Sequence, residues 1–162
     1  MCKKILELDN YVLSNKISIY LRQPVSSHKN LLAGVPRGSK VLEIGAGMGE
    51  NTEFLMELGF EVCSTDTSII SVEVLVNKYA KFDSFNAELA DMDRLLISDK
   101  SFSVVCSAGR MSYGDNSIVM NEIYRFLDKG GVFLRLTRCL ITLFTRSTAM
   151  YIFCWEIGQK VL

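Results

Sequence analysis

From Val41 onward the chain alternates between two hydrophobic periods, and this alternation restricts the fold more than any other feature. Residues 41–45 form an apolar run interrupted by one acid, Glu43, and closed by a glycine. Residues 50–58 then place Phe54, Leu55 and Leu58 at helical spacing, and Gly59 supplies the stop. A second short apolar run at 60–65 is followed by Ile69, Val72, Val76 and Tyr79, which predicts a helix over 69–81. Residues 102–108 read as a buried strand. Val119, Met120, Ile123, Phe126 and Leu127 form a helical stripe ending at Gly130 and Gly131, and 132–136 read as a further strand. Strands joined through helices pair in parallel by right-handed crossovers, so the expected fold is α/β, a doubly wound, mostly parallel sheet with helices on both faces. Ligands of such sheets bind outside the carboxyl ends of the strands.

Upstream, residues 11–32 read as helix with Leu13, Ile17, Tyr20 and Leu21 on one face, broken at Pro24. Gly34, Pro36 and Gly38 then mark a loop. The reading therefore divides the chain into a helical segment over 1–35 that could cover the site, an α/β ligand-binding domain over 36–136, and an atypical tail over 137–162. With 49% hydrophobic and 22% charged residues, the composition is that of a globular protein. Lys plus Arg equals Asp plus Glu at 18 each, so no overall field favours nucleic acid or an anionic membrane surface. The N-terminus lacks the apolar stretch of a signal peptide. The longest apolar tract, 140–157, is divided by Arg146, and no membrane span is expected. Five dispersed cysteines without a C-x-x-C pair argue against disulfides or zinc and fit a reducing cytoplasm, with Cys63 and Cys106 as small core residues. No metal site is expected.

The turn after the first strand, Gly45-Ala46-Gly47-Met48-Gly49, carries the strongest chemical signal. Glycines at 45 and 47 allow a sharp turn and close approach of a ligand. The helix beginning near Glu50 offers unpaired N–H groups that suit a carboxylate or phosphate. A dinucleotide fingerprint would need glycine at position 50, where Glu50 stands. Glu43 inside the strand is unsuited to a pyrophosphate and suits a ligand carrying an amino group. The second strand ends at Asp66, where a carboxylate can accept both hydroxyls of a ribose. Asp66-Thr67-Ser68 also reads as a helix N-cap, and the two roles are compatible.

These residues resemble the class I S-adenosylmethionine-dependent methyltransferases, in particular the small-molecule branch related to ubiquinone and menaquinone methyltransferases. The likeness spans about residues 30–135 in four blocks: 41–49, 63–68, 91–105 and 120–131. It implies a Rossmann-like methyltransferase sheet with S-adenosylmethionine as cofactor. Gly45, Ala46 and Gly47 would hold the methionine moiety by backbone, with Glu43 orienting its amino group directly or through water. Asp66, with Thr67 beside it, would bind the ribose. Asp91 would accept from the adenine amine beside the Met92 N–H, although Met92 also fits simple packing. Ser107 and Ala108 would line the methionine end. Leu96 and Ser98 stand where the family's adenine loop carries proline, and Ser103 replaces an aspartate frequent in the fourth strand.

After Leu136 the resemblance stops. The family pattern continues with a helix and two strands that complete a seven-stranded sheet, whereas 137–162 is a mixed apolar tract with few turn residues. The expectation is a chain cut short or read out of frame here, lacking the final β-hairpin. Its fifth strand would then be an exposed edge open to self-association, or be covered by residues 149–157. The expected chemistry is in-line methyl transfer to a small molecule or saccharide. A degenerate, cofactor-binding but inactive methyltransferase fragment is the alternative, and an NAD-dependent oxidoreductase a weaker one. His28 is a candidate base, and Tyr113 and Asp115 are candidate substrate contacts, but no catalytic residue is assigned.

Overall fold

A computed structural model describes residues 32–92, 95–108, 116–136, 141–145 and 150–153. In chain order the elements are β1 (Lys40–Ile44), α1 (Glu50–Glu57), β2 (Glu61–Asp66), α2 (Ile69–Tyr79), β3 (Phe85–Leu89), β4 (Phe102–Ala108), α3 (Asn116–Phe126), β5 (Leu127–Leu136), β6 (Ile141–Thr145) and β7 (Met150–Phe153). They build one seven-stranded sheet in the order β3-β2-β1-β4-β5-β6-β7. Each neighbouring pair among β3, β2, β1, β4 and β5 is parallel.

Strand alternation sends neighbouring side chains to opposite faces. On β1, Val41 packs with Leu55 of α1, Val62, Val104 and Leu134, while Leu42 and Ile44 pack with Val119, Ile123 and Phe126 of α3. Helix α2 adds Leu75 and Tyr79 against Ala46 on the α1 side. The sheet is therefore doubly wound, with α1 and α2 on one face and α3 on the other. Burial on both faces explains why β1 and β4 read as near-continuous apolar runs. Cys106 is buried and Cys63 half-buried against the α3-side core, and burial pushes both thiols up, Cys63 to about 11.

Local boundaries follow from caps. Ser68 accepts a hydrogen bond from the Ser71 N–H at 3.2 Å, so Ser68 rather than Thr67 caps α2. Two elements depart from the sequence reading. Strand β3 was not expected: Phe85, Ala87 and Leu89 do alternate with Asn86 and Glu88, but the run is only five residues long and mostly exposed. Strand β5 begins at Leu127 and runs through Gly130 and Gly131, with an irregular register against β4 between Phe102 and Val104. The Ser103 hydroxyl donates to the Asp128 carboxylate there at 2.9 Å.

The expectation that β5 forms a bare sheet edge is corrected. Strand β6 pairs antiparallel with β5, Leu136 opposite Ile141 and Val132 opposite Thr145, and β7 pairs antiparallel with β6. Residues 141–145, not 149–157, cover β5, and among the described residues the sheet edges are β3 and β7. Residues 137–140 alone separate β5 from β6, which leaves no room for the intervening helix that the resemblance implies. The β-strands after Leu136 are thus a short meander in place of a helix followed by a hairpin. Residues 1–31, including His28, and Asp93, Tyr113 and Asp115 lie outside the described residues.

Candidate cofactor site

Parallel pairing sets the carboxyl ends of the central strands side by side. Ile44 stands opposite Thr65 on one side and Ser107 on the other, and Asp66 stands opposite Leu89. The Ala90 N–H donates to the Asp66 carbonyl at 3.0 Å, which brings Asp91 to the end of β2. The residues predicted from the sequence therefore converge on one rim: Glu43, Gly45, Ala46 and Gly47 from β1, Asp66 and Thr67 from β2, Asp91 and Met92 after β3, and Ser107 on β4.

The turn is held by β2. Gly45 and Gly47 adopt φ of 72° and 59°, values that glycine reaches without strain. The Gly45 and Ala46 N–H groups donate to the Thr65 carbonyl at 2.8 and 3.0 Å, and the Gly47 N–H donates to Asp66 Oδ2 at 2.9 Å. Asp66 Oδ1 accepts from the Ser68 N–H at 2.9 Å. These bonds narrow the expectation that residues 45–47 hold a ligand by backbone. The N–H groups of residues 45–47 are committed to β2, so what these residues offer a ligand is close backbone approach and carbonyl oxygens. Asp66 is buried, and each of its oxygens retains a second lone-pair position.

Helix α1 is held from α2. The Tyr79 hydroxyl donates to the Gly49 carbonyl at 3.1 Å, and a Cβ at Gly49 would lie 2.8 Å from Leu75 Cδ2 and 3.0 Å from Tyr79 Cε2. Gly49 also has φ of 86°, so both space and conformation require glycine there.

Beneath the turn lies Glu43, which is 1% exposed. Its Oε2 accepts from the Thr52 hydroxyl of α1 at 2.6 Å and the Ser64 hydroxyl of β2 at 2.8 Å. Its Oε1 is buried without a partner among the described residues. Burial pushes the Glu43 carboxyl up to about 7, against the lowering effect of the two hydroxyls and with smaller upward contributions from Glu50 and Asp66. The Ser107 hydroxyl is likewise buried without a partner among the described residues. The Met92 side chain packs into the α3-side core.

Thr52, Ser64 and Tyr79 were not singled out in the sequence. Thr52 and Ser64 are buried polar residues with polar neighbours, Asn51 and Glu53 for the first and Thr65 and Asp66 for the second, so no local contrast marks them in the sequence. Tyr79 matched the apolar stripe of α2, and nothing local distinguishes its hydroxyl. Among the described residues, no group of three or more His, Cys, Asp or Glu is placed to hold a metal, and no helix is long and apolar enough to cross a membrane.

A family model described as a methyltransferase domain matches residues 41–131, more than half of the chain and the whole of this rim. The chain belongs to the methyltransferase domain family. Solved structures that this methyltransferase domain resembles include the complex between the Haloferax volcanii Trm112 methyltransferase activator and its methyltransferase, at 25% identity and a TM-score of 0.69 over 80% of this chain and 59% of that one. Another is phosphoethanolamine N-methyltransferase 2 of Haemonchus contortus with phosphomonomethylethanolamine and S-adenosylhomocysteine, at 24% identity and a TM-score of 0.61 over 68% of this chain and 27% of that one. A third is geranyl diphosphate C-methyltransferase of Streptomyces coelicolor with Mg2+, geranyl-S-thiolodiphosphate and S-adenosylhomocysteine, at 17% identity and a TM-score of 0.63 over 71% of this chain and 44% of that one. The last two speak for the fold. The chain thus covers less than two thirds of the length of each of these structures. No curated protein matches it.

Proposed function

We propose that this chain binds S-adenosylmethionine and transfers its methyl group to a small molecule or saccharide, as in the ubiquinone- and menaquinone-related branch. The observation that carries this reading is the clasp in which Asp66, at the carboxyl end of β2, accepts the Gly47 N–H on one carboxylate oxygen and the Ser68 N–H on the other. The donor set fits the cofactor. Carbonyl oxygens of the turn and the unpartnered Oε1 of Glu43 would receive a cationic amino group. Asp66 and Thr67 would hold the ribose hydroxyls, and Asp91 with the Met92 N–H would meet the adenine edge. Ser107, whose buried hydroxyl has no partner among the described residues, would line the methionine end.

The same set fits a dinucleotide badly. A pyrophosphate needs N–H donors, and those of Gly45, Ala46 and Gly47 are committed to β2, with Glu43, Glu50 and Asp66 close by. When bound, S-adenosylmethionine supplies a methyl group on a positively charged sulfur, open to in-line displacement. The protein's own part is to fix the donor at the strand ends and exclude water, and orientation of this kind contributes up to roughly 7–11 kcal/mol in well-aligned systems.

A second reading is favoured by the β5-β6-β7 meander, which replaces the helix and hairpin that the family resemblance implies beside the site. In it the chain binds the cofactor without transferring methyl. Calorimetric titration with S-adenosylmethionine, S-adenosylhomocysteine and NAD tests the common part. Binding of the first two and not of NAD is expected, and NAD binding alone would overturn both readings. Release of S-adenosylhomocysteine in the presence of a panel of small acceptors and saccharides separates the first reading from the second.

A further inference from the structure

We infer that Arg125, on the far side of the sheet from the glycine turn, is the positioning residue that gives the segment after β3 its selectivity for adenine. The inference rests on the reading that Asp91 and Met92 meet the adenine edge. Arg125 lies in the last turn of α3, and its guanidinium takes hold of the segment downstream of Met92. Nη1 donates to the Ile97 carbonyl at 2.5 Å and to Asp99 Oδ1 at 2.8 Å, and Nη2 donates to the Leu95 carbonyl at 3.3 Å. Nε and Nη2 donate to the two carboxylate oxygens of Glu122 at 3.1 and 2.7 Å, and the guanidinium carbon stands 4.5 Å from the centre of the Phe126 ring. The Glu122 fork and the ring beneath fix the plane of the guanidinium, and a planar fork is what allows one side chain to hold two carbonyls at once.

Backbone bonds continue the seam, because Lys100 N–H donates to the Arg125 carbonyl at 2.9 Å and Ser101 N–H to the Phe126 carbonyl at 2.8 Å. Residues 95–98 have no regular secondary structure, and Leu96 and Ser98 replace the prolines that the resemblance implies. A backbone without those rings has more conformations open to it, and the restraint must come from elsewhere. Arg125 provides it from α3, while Leu95 and Met92 anchor the same stretch by packing against the core that contains Phe126. The arginine touches no ligand in this account; it fixes the path of the chain that does.

The test uses S-adenosylhomocysteine and its deaminated analogue S-inosylhomocysteine, in which a carbonyl replaces the adenine amine, titrated calorimetrically into the full chain and its variants. The wild-type chain should prefer the adenine compound. Arg125→Met should weaken S-adenosylhomocysteine roughly tenfold, the size expected for losing charge-assisted bonds that order the segment, and should weaken the inosine compound much less, so that the preference collapses. Arg125→Lys restores the charge without the fork and should recover only part of the preference. Glu122→Gln keeps the arginine and loosens its seat, so it should give a smaller loss in the same direction and serves if the arginine variants fail to fold. Equal weakening of both ligands, or an unchanged preference, would overturn the inference while leaving the cofactor assignment standing. A wild-type chain that binds neither compound would instead overturn the cofactor assignment itself, and one that binds both equally would remove adenine recognition from this segment and the inference with it.

Discussion

The two faces of the central sheet are built from the same strands and differ in what interrupts their apolar layers. On the α3 face, Leu42, Ile44, Val105 and Phe133 meet Val119, Ile123 and Phe126 in an apolar core that gives way to the buried Thr65 and Ser107 only at the carboxyl ends of the strands. On the α1 face, Val41, Val62, Val104 and Leu134 surround Leu55, but the layer is broken by Glu43 with its two hydroxyl partners, Thr52 and Ser64. One face is close-packed hydrocarbon, which stabilises. The other contains a buried carboxyl group with one unpartnered oxygen, which costs stability and is retained beneath the glycine turn. The contrast separates the part of the domain that holds the fold from the part that holds a ligand.

The contrast can be broken by mutation. Phe126 is fully buried at the centre of the apolar face. Phe126→Ala should cost about 3–5 kcal/mol by urea denaturation, the range for emptying an aromatic site in a core. A loss below about 1 kcal/mol would mean that the α3 face does not carry the stability assigned to it.

Glu43 gives the next largest effect, and it depends on pH. Its carboxyl is raised to about 7 in the fold, so the folded chain keeps this proton over a range where the unfolded chain has released it. Stability from this group is therefore greatest at low pH and falls as pH rises from the ordinary carboxylate range to about 7, by roughly 3 kcal/mol. Glu43→Gln removes the titration. Its stability relative to wild type, measured by denaturation at pH 5 and pH 8, should improve at the higher pH by an amount of that order. A difference independent of pH would show that the α1 face does not bury an ionisable group.

Gly49 sharpens the comparison at the junction between turn and helix. Gly49→Ala must adopt a positive φ and push against Leu75 and Tyr79, and should destabilise by roughly 2 kcal/mol. Gly130 has a similar φ of 87° but open space around its Cβ position. Gly130→Ala should therefore cost less, about 1 kcal/mol from conformation alone. Equal losses in thermal denaturation would remove the steric part of the argument.

How much of this was legible in the sequence depended on burial. Strands β1 and β4 are covered on both faces and read directly as apolar runs, and α2 announced itself through Ile69, Val72, Val76 and Tyr79. Strand β3 is a short edge with most side chains exposed, and its alternation of Phe85, Ala87 and Leu89 with Asn86 and Glu88 is too brief to stand out beside the long apolar runs. Gly130 and Gly131 looked like a helix stop, yet the chain had already turned into β5 at Leu127. In the site, Gly45, Gly47 and Asp66 were legible because backbone conformation and strand-end position impose residue type locally. Arg125 and Tyr79 were not, since their partners lie about thirty residues away and become neighbours only once the sheet has formed.

The central claim is that the turn after Ile44 and the carboxylate of Asp66 together grip an amino acid joined to a nucleoside. Crystals grown with S-adenosylhomocysteine test it most directly. The account predicts ligand density along the strand ends, with the ribose hydroxyls on Asp66 and the amino acid end against residues 45–47. Density elsewhere, or an Asp66 that keeps its bonds to Gly47 and Ser68 while the ligand binds away from it, would contradict the account.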